Sequence, residues 1–288
     1  MDLFCTNYEQ VFGNIVGSAC SYIASSNVRA LVVGTSGGID SALTAAIAEE
    51  VVKRLDNDVL LEGRFLNIKS DEEEARRGIN AANSFCHGCQ YQDLTDLYIP
   101  IANYIMQRPS KYGKTNAIRL GNVSARLRMI VLYDLAKELD GMVLGTDNFT
   151  EYLLGFWTLH GDVGDFGMIQ NLWKTEVYGL AEYLMDKFNK SGRSTQADVM
   201  EAAIQAMPTD GLGVTDSDFD QIHPDYDRSL SPKEVYKEVD DILIRRHSVE
   251  YVNHPVVERH KATGFKRINP FNIPREYIVR SGKKGTLS

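Results

Sequence analysis

The residues best placed to do chemistry are Gly34, Thr35, Ser36, Gly37, Gly38, Ile39, Asp40 and Ser41, where one apolar run ends and another begins. The adjacent glycines let a ligand approach the main chain with no Cβ in the way. Backbone N–H groups at a helix start favour an anion, and Ser36 and Ser41 add hydroxyl donors. A carboxylate in the same turn would repel that anion. Asp40 makes sense there if a divalent cation lies between them, because Mg²⁺ bridges carboxylate and phosphate oxygens. The turn alone leaves open a plainer role for Asp40, capping its own helix. The pattern is neither a Walker A loop, which needs GxxxxGK[ST], nor GxGxxG.

A second candidate is the pair Cys86 and Cys89 in Cys-His-Gly-Cys. A zinc site usually takes a second pair at similar spacing, and the chain has only two further cysteines, Cys5 and Cys20, far away in sequence. Ordinary thiols at a helix end are the preferred reading, ahead of redox or sulfur-transfer use.

These turns need elements to hold them. Apolar spacing predicts a leading helix over residues 8–24 and a buried strand over 29–34, followed by a helix over 40–54. A strand is expected at 64–68, with Ser70 as N-cap of the next helix and Glu73 closing a capping box. A third strand is expected near 90–94, helices near 95–106 and 122–139, and a strand at Met142–Leu144. Strands alternating with helices imply βαβ units and a parallel sheet, α/β in class. Ligands bind such sheets beyond the carboxyl ends of the strands, where both Ser36–Ser41 and Thr146–Glu151 fall. Residues 209–227 are rich in Asp and Gly, so a mobile loop is expected over about 207–230, either a solvated surface or a lid that orders over substrate. Helix resumes at Ser231-Pro232, with proline at a favourable first position.

At 288 residues the chain suits one large domain or two small ones, and its formal charge of −8 argues against binding nucleic acid by bulk electrostatics. No segment is apolar enough to span a bilayer and no signal-peptide pattern is present, so a cytoplasmic protein is expected.

The pattern SGGxDS resembles the signature of PP-loop ATP pyrophosphatases, which expel pyrophosphate by attack on the α-phosphate of ATP. Five later segments occur in order: Gly121–Met129 (GNVSARLRM), Gly145–Glu151 (GTDNFTE), Gly155–Phe166 (GFWTLHGDVGDF), Leu172–Leu184 (LWKTEVYGLAEYL) and Pro208–Leu212 (PTDGL). Together they resemble the ammonia-dependent NAD⁺ synthetase family over roughly residues 8–270. The resemblance implies one domain over 1–288 with a Rossmann-like, adenine nucleotide alpha-hydrolase-type sheet, a leading helix at 7–25 and a tail from about 270. It implies amidation of deamido-NAD⁺ by ammonia through an adenylate, giving NAD⁺, AMP and pyrophosphate. Residues 34–41, Thr146, Lys174 and Thr209 would then bind ATP, with Asp40 and Lys174 catalytic and Asp40 and Glu151 holding Mg²⁺. Arg126, Asp165, His260 and Lys261 would contact deamido-NAD⁺, with Lys266-Arg267 competing for the last role. The family also implies a homodimer, with the leading helix and the Arg126 helix as contact candidates.

This chain departs from the family pattern in three places. It is one residue shorter between Asp162 and Asp165, has Leu159 where many members have lysine, and carries a shortened loop after the second strand. With about thirty residues ahead of the PP-loop, free ammonia is the expected donor, a separate glutamine amidase being compatible but not implied. The rivals are a PP-loop tRNA sulfurtransferase using Cys86 and Cys89, and a catalytically silent nucleotide sensor.

Overall fold

Five strands run parallel: β1 (Ala30–Gly34), β2 (Leu60–Asn67), β3 (Gly88–Asp93), β4 (Met142–Gly145) and β5 (Phe166–Gly167). The computed structural model describes residues 4–56, 58–107, 116–209 and 217–279. The strand order is β3-β2-β1-β4-β5. Residues 30–33 of β1 are completely buried, as a central parallel strand covered on both faces must be. Side chains alternate across the sheet. Leu31 and Val33 therefore join one core cluster, and Val32 joins another with Val143.

The first cluster is built with α1 (Tyr8–Ser26), α2 (Ile39–Arg54), α3 (Glu72–Phe85), α7 (Lys174–Lys190), α8 (Ser194–Gln205) and α10 (Pro232–Ile244). The second lies under α4 (Thr95–Met106) and α5 (Asn116–Glu138) on the opposite face. Short helices complete the chain: α6 (Phe149–Leu154), α9 (Phe219–Ile222), α11 (Pro255–Ala262), α12 (Gly264–Arg267) and α13 (Arg275–Val279). After β3 the chain crosses to the far side of β1 to form β4. The carboxyl ends of β1 and β4 therefore flank the switch point where α/β sheets bind ligands.

Most expected elements stand within a few residues of their expected bounds. Three details differ. The N-cap of α3 is Asp71, which accepts from Glu74 N at 2.7 Å, whereas Ser70 N donates to Asn67 Oδ1. Lys69 adopts a left-handed turn after β2 (φ 56°), which advances the cap by one residue. The two-residue β5 is too short to show periodicity in sequence. Finally, residues 217–223 are not a solvated loop: Phe219 and Ile222 of α9 are each 1% exposed within the first core cluster, and the chain returns to the surface only after them. The rest of the expected loop, 210–216, lies outside the described residues, as do 280–288 of the tail.

Candidate active site

The turn after β1 is knitted by its own hydroxyls. Ser41 Oγ donates to Gly38 O at 3.0 Å and accepts from Ser36 N at 3.1 Å. Gly37 has φ 86°, the left-handed region that glycine tolerates, and a Cβ there would stand 2.5 Å from Glu74 O. Gly78 on α3 fits as closely from the other side, where a Cβ would meet Thr35 O at 2.4 Å. Helix α3 thus closes on the turn with no side-chain carbon between them at Gly37 and Gly78. The main chain stays free to face a ligand.

Asp40 does not cap α2: the N-cap is Gly38, which has no side chain to cap with, and Asp40 lies in the first turn. Its carboxylate reaches across the switch point to the β4 side, where Oδ1 accepts from Asn148 Nδ2 at 2.9 Å and Oδ2 accepts from Lys174 Nζ. Lys174 Nζ also donates to Glu151 Oε1 at 3.1 Å. Glu151 holds its place through a capping box: Asn148 Oδ1 accepts from Glu151 N and Glu151 Oε2 accepts from Asn148 N. One oxygen serves its helix, and the other faces the lysine.

Lys174, only 3% exposed, opens α7. Burial works against its charge, but Asp40 and Glu151 outweigh that and hold its ammonium well above the ordinary lysine range. Burial raises Glu151, against the pull of Lys174. Asp147, beside them, is raised well above the carboxylate range by burial and by Asp162 next.

A cavity of about 400 Å³ opens over this group and is lined by residues 34–36 and 38–41, Thr146, Glu151, Lys174 and Thr209. Of the expected ATP residues only Gly37 does not line it; it turns its back on α3. A second cavity, about 880 Å³, is lined by Arg126, Tyr133, Tyr152, Lys266 and Arg267 among others. Met129, Asp147, Trp157 and Lys266 line both cavities and form the partition between them.

The expected acceptor residues divide. Arg126 lines the second cavity, anchored by a 2.8 Å bond to Leu159 O. Asp165, His260 and Lys261 line neither cavity. Asp165 accepts from Val143 N at 2.9 Å and from Tyr133 Oη at 3.0 Å. His260 Nδ1 lies 2.8 Å from Leu153 O, and Lys261 Nζ donates to Val252 O at 2.7 Å. The competing pair stands at the cavities instead. Lys266 Nζ donates to Gly155 O at 2.7 Å and to Trp157 O, and lies 5.3 Å from the Trp157 ring centroid. Burial and then Arg259 lower its pKa, with Asp162 opposing.

Sequence reasoning missed Asn148, fully buried and bonded to Asp40, although an asparagine before an acidic helix start is an N-cap signal. It also passed over Arg64 and Arg128, which line the first cavity. Burial pushes the Cys86 thiol up to about 12 and raises Cys89 as well; such thiols are poor nucleophiles. Among the described residues no three His, Cys, Asp or Glu side chains gather into a metal cage, and no helix is long and apolar enough to cross a membrane.

A parallel α/β sheet with a glycine-rich anion turn and a carboxylate–lysine–carboxylate group at its switch point defines a nucleotide-binding enzyme fold of the Rossmann-like class. A sequence model of the NAD synthase family matches residues 11–270, and the chain belongs to that family. It is 40% identical over 156 residues to an NH(3)-dependent NAD(+) synthetase of Methanopyrus kandleri, a match spanning 53% of this chain and 52% of the relative. A relative of the same name from Campylobacter jejuni is 33% identical over 180 residues, 62% of this chain and 69% of the relative. The solved NMN synthetase of Francisella tularensis superposes with a TM-score of 0.72 at 21% identity, covering 91% of this chain and 97% of that one.

Proposed function

We propose that the chain amidates deamido-NAD⁺ with ammonia at the expense of ATP, releasing NAD⁺, AMP and pyrophosphate. The observation that carries this reading is the partition: an ATP-sized anion cavity and an acceptor cavity meet at Asp147, Trp157, Met129 and Lys266. A carboxylate bound in the second cavity would meet the α-phosphate of a nucleotide bound in the first across these four residues. The acceptor oxygen bonds to that phosphorus as its bond to the bridging oxygen breaks, and the electron pair leaves on pyrophosphate. Ammonia nitrogen then bonds to the activated carbonyl carbon, and the C–O bond to AMP breaks.

The chain's part is positioning and charge stabilisation. Residues 36–41 cradle the leaving phosphates, and Lys174 donates to the charge that develops on them. Asp147 stands at the partition, facing both cavities. Lys266 and Arg126 hold the acceptor.

The donor set fits Mg²⁺: Asp40 and Glu151 each direct one oxygen to a common point now held by the Lys174 ammonium. Magnesium takes one or two carboxylates with phosphate oxygens and water. When bound, it neutralises charge on the departing pyrophosphate.

We read the enzyme as a cytoplasmic homodimer. The apolar face of α1 is spent on the chain's own core through Phe12, Val16, Ala19 and Ile23, whereas α4 and α5 expose Leu97, Tyr104, Ile118 and Ile130, the last of them at the rim of the acceptor cavity. A second copy on α4 and α5 would cover that cavity's open side.

The test is incubation with ATP, Mg²⁺, deamido-NAD⁺ and ammonium, with NAD⁺ and AMP quantified by chromatography. Equal amounts of both products, dependent on ammonium and lost in Asp40→Ala, are expected. A nicotinic acid mononucleotide arm reads the acceptor length, and a glutamine arm reads the nitrogen source. AMP without NAD⁺ would overturn the acceptor; neither product from folded protein would overturn the reaction.

A further inference from the structure

Asp240 on α10 is completely buried and lines neither cavity. A carboxylate in such a place is costly unless fully bonded, and this one is. Oδ1 accepts from Thr150 Oγ1, while Oδ2 accepts from Thr175 N at 2.9 Å and Thr175 Oγ1 at 2.6 Å. Thr150 Oγ1 in turn accepts from Lys174 N at 2.8 Å. Thr150 immediately precedes Glu151, and Thr175 immediately follows Lys174.

The first N–H groups of a helix lack partners within it, and the N-cap of α7, Trp173, supplies no side-chain acceptor. The missing cap comes from another helix. One turn before Asp240, Tyr236 on the same face of α10 places its ring centroid 5.1 Å from Lys174 Nζ. Helix α10 thus touches Lys174 twice: at its backbone through Thr150, and at its ammonium through an aromatic face.

We propose that Asp240 is a positioning residue for Lys174: by joining the first turns of α6 and α7 through Thr150 and Thr175, it sets the spacing at which the Lys174 ammonium and Glu151 carboxylate meet the ATP phosphates. The proposal rests on Lys174 acting at those phosphates. An ångström of misplacement in a preorganised site costs up to about 10²-fold in rate, so a clamp on two helix starts has a kinetic signature. Losing it slows the step Lys174 assists and leaves nucleotide affinity, spread over the whole glycine turn, nearly intact.

The experiment compares kcat and KM for ATP, with thermal melting, in Asp240→Asn, Thr150→Val and Thr150→Ser, each in the wild-type and in a Lys174→Gln background followed over long incubations. Asp240→Asn and Thr150→Val are expected to lower kcat about tenfold with KM for ATP within about threefold, and Thr150→Ser, which keeps the hydroxyl, to restore most of it. With Lys174 already replaced, neither change lowers kcat further by more than about twofold. Equal losses in both backgrounds, or an unchanged kcat in the wild-type background, overturn the proposal. If Asp240→Asn does not fold, the Thr150 pair carries the same test. Should Lys174→Gln be as fast as wild type, the role of Lys174 falls instead, and the two failures are told apart.

Discussion

The two cavities are built on different principles. The nucleotide side is closed by charge on charge: Lys174, Asp40, Glu151 and Asn148 satisfy one another, with Lys174 and Asn148 buried and the two carboxylates partly so. On the acceptor side, Arg126, Lys266 and Arg267 are tied to main-chain carbonyls of Leu159, Gly155 and Leu153, and Ile130 beside them is 65% exposed. A closed charge network stores its organisation before ligand arrives, so damage to it appears in the chemical step. Cations held by carbonyls, with Asp162 as the nearby counter-charge to Lys266 and Arg126, keep charge to offer an anionic acceptor, so damage there appears in binding.

The largest expected effect tests the first half of that contrast. Asp40→Asn keeps the shape but strands Lys174 on Glu151 alone, and is expected to lower kcat by about 10²–10³-fold with the acceptor KM almost unmoved. A proportional rise in acceptor KM would erase the distinction between the sides. Next comes Lys266→Ala, expected to raise KM for deamido-NAD⁺ about tenfold with a smaller change in kcat; Lys261→Ala, whose ammonium serves Val252 O, is expected to change neither by more than about twofold. The reverse ranking in steady-state kinetics would return the acceptor role to the His260-Lys261 pair.

Gly37→Ala forces a side chain into a left-handed position against Glu74 O, costing at least about 1–2 kcal/mol in urea unfolding. The same change at Gly192, also at positive φ but with open space around it, carries the backbone strain without the clash and is expected to cost less. A smaller effect is read by pH. Burial raises Asp240 to about 7, against its three hydrogen bonds, so between its unfolded value near 4 and 7 the folded state binds the extra proton. Its contribution to stability therefore falls as pH rises through that window and levels off above it. Asp240→Asn is expected to flatten the slope of Tm across pH 5–7, and an unchanged slope would remove Asp240 as its source. Least of all, Cys86→Ser with Cys89→Ser is expected to leave the amidation rate within about twofold.

The nucleotide side was readable because its chemistry is written in one contiguous turn between a strand and a helix, where glycine, hydroxyl and carboxylate each have a local reason. The acceptor side is collected from segments near 126, 157 and 266, and a literal His-Lys match drew attention to residues bonded to Leu153 O and Val252 O. Asp165 shows the same limit: its oxygens accept from Val143 N and Tyr133 Oη. Asn148 and Asp240 act across 108 and 90 residues of sequence. A polar side chain at such a distance looks like any other until the packing shows what it touches. The core was legible for the opposite reason, since alternation along β1 and helical spacing along α1 are local consequences of burial.

The carboxyl end of α6 has a further consequence. Its carbonyls at Leu153, Leu154 and Gly155 receive Arg267, Arg259 and Lys266, all from far beyond the last strand at Gly167. On a ribosome adding roughly 5–20 residues per second, every strand of the sheet has emerged well before α11 and α12 exist. The newborn chain can assemble its sheet and its glycine turn, yet the helix carrying Glu151 lacks its closing strap for about another 5–20 seconds. Completion of the site is thus a late event of synthesis.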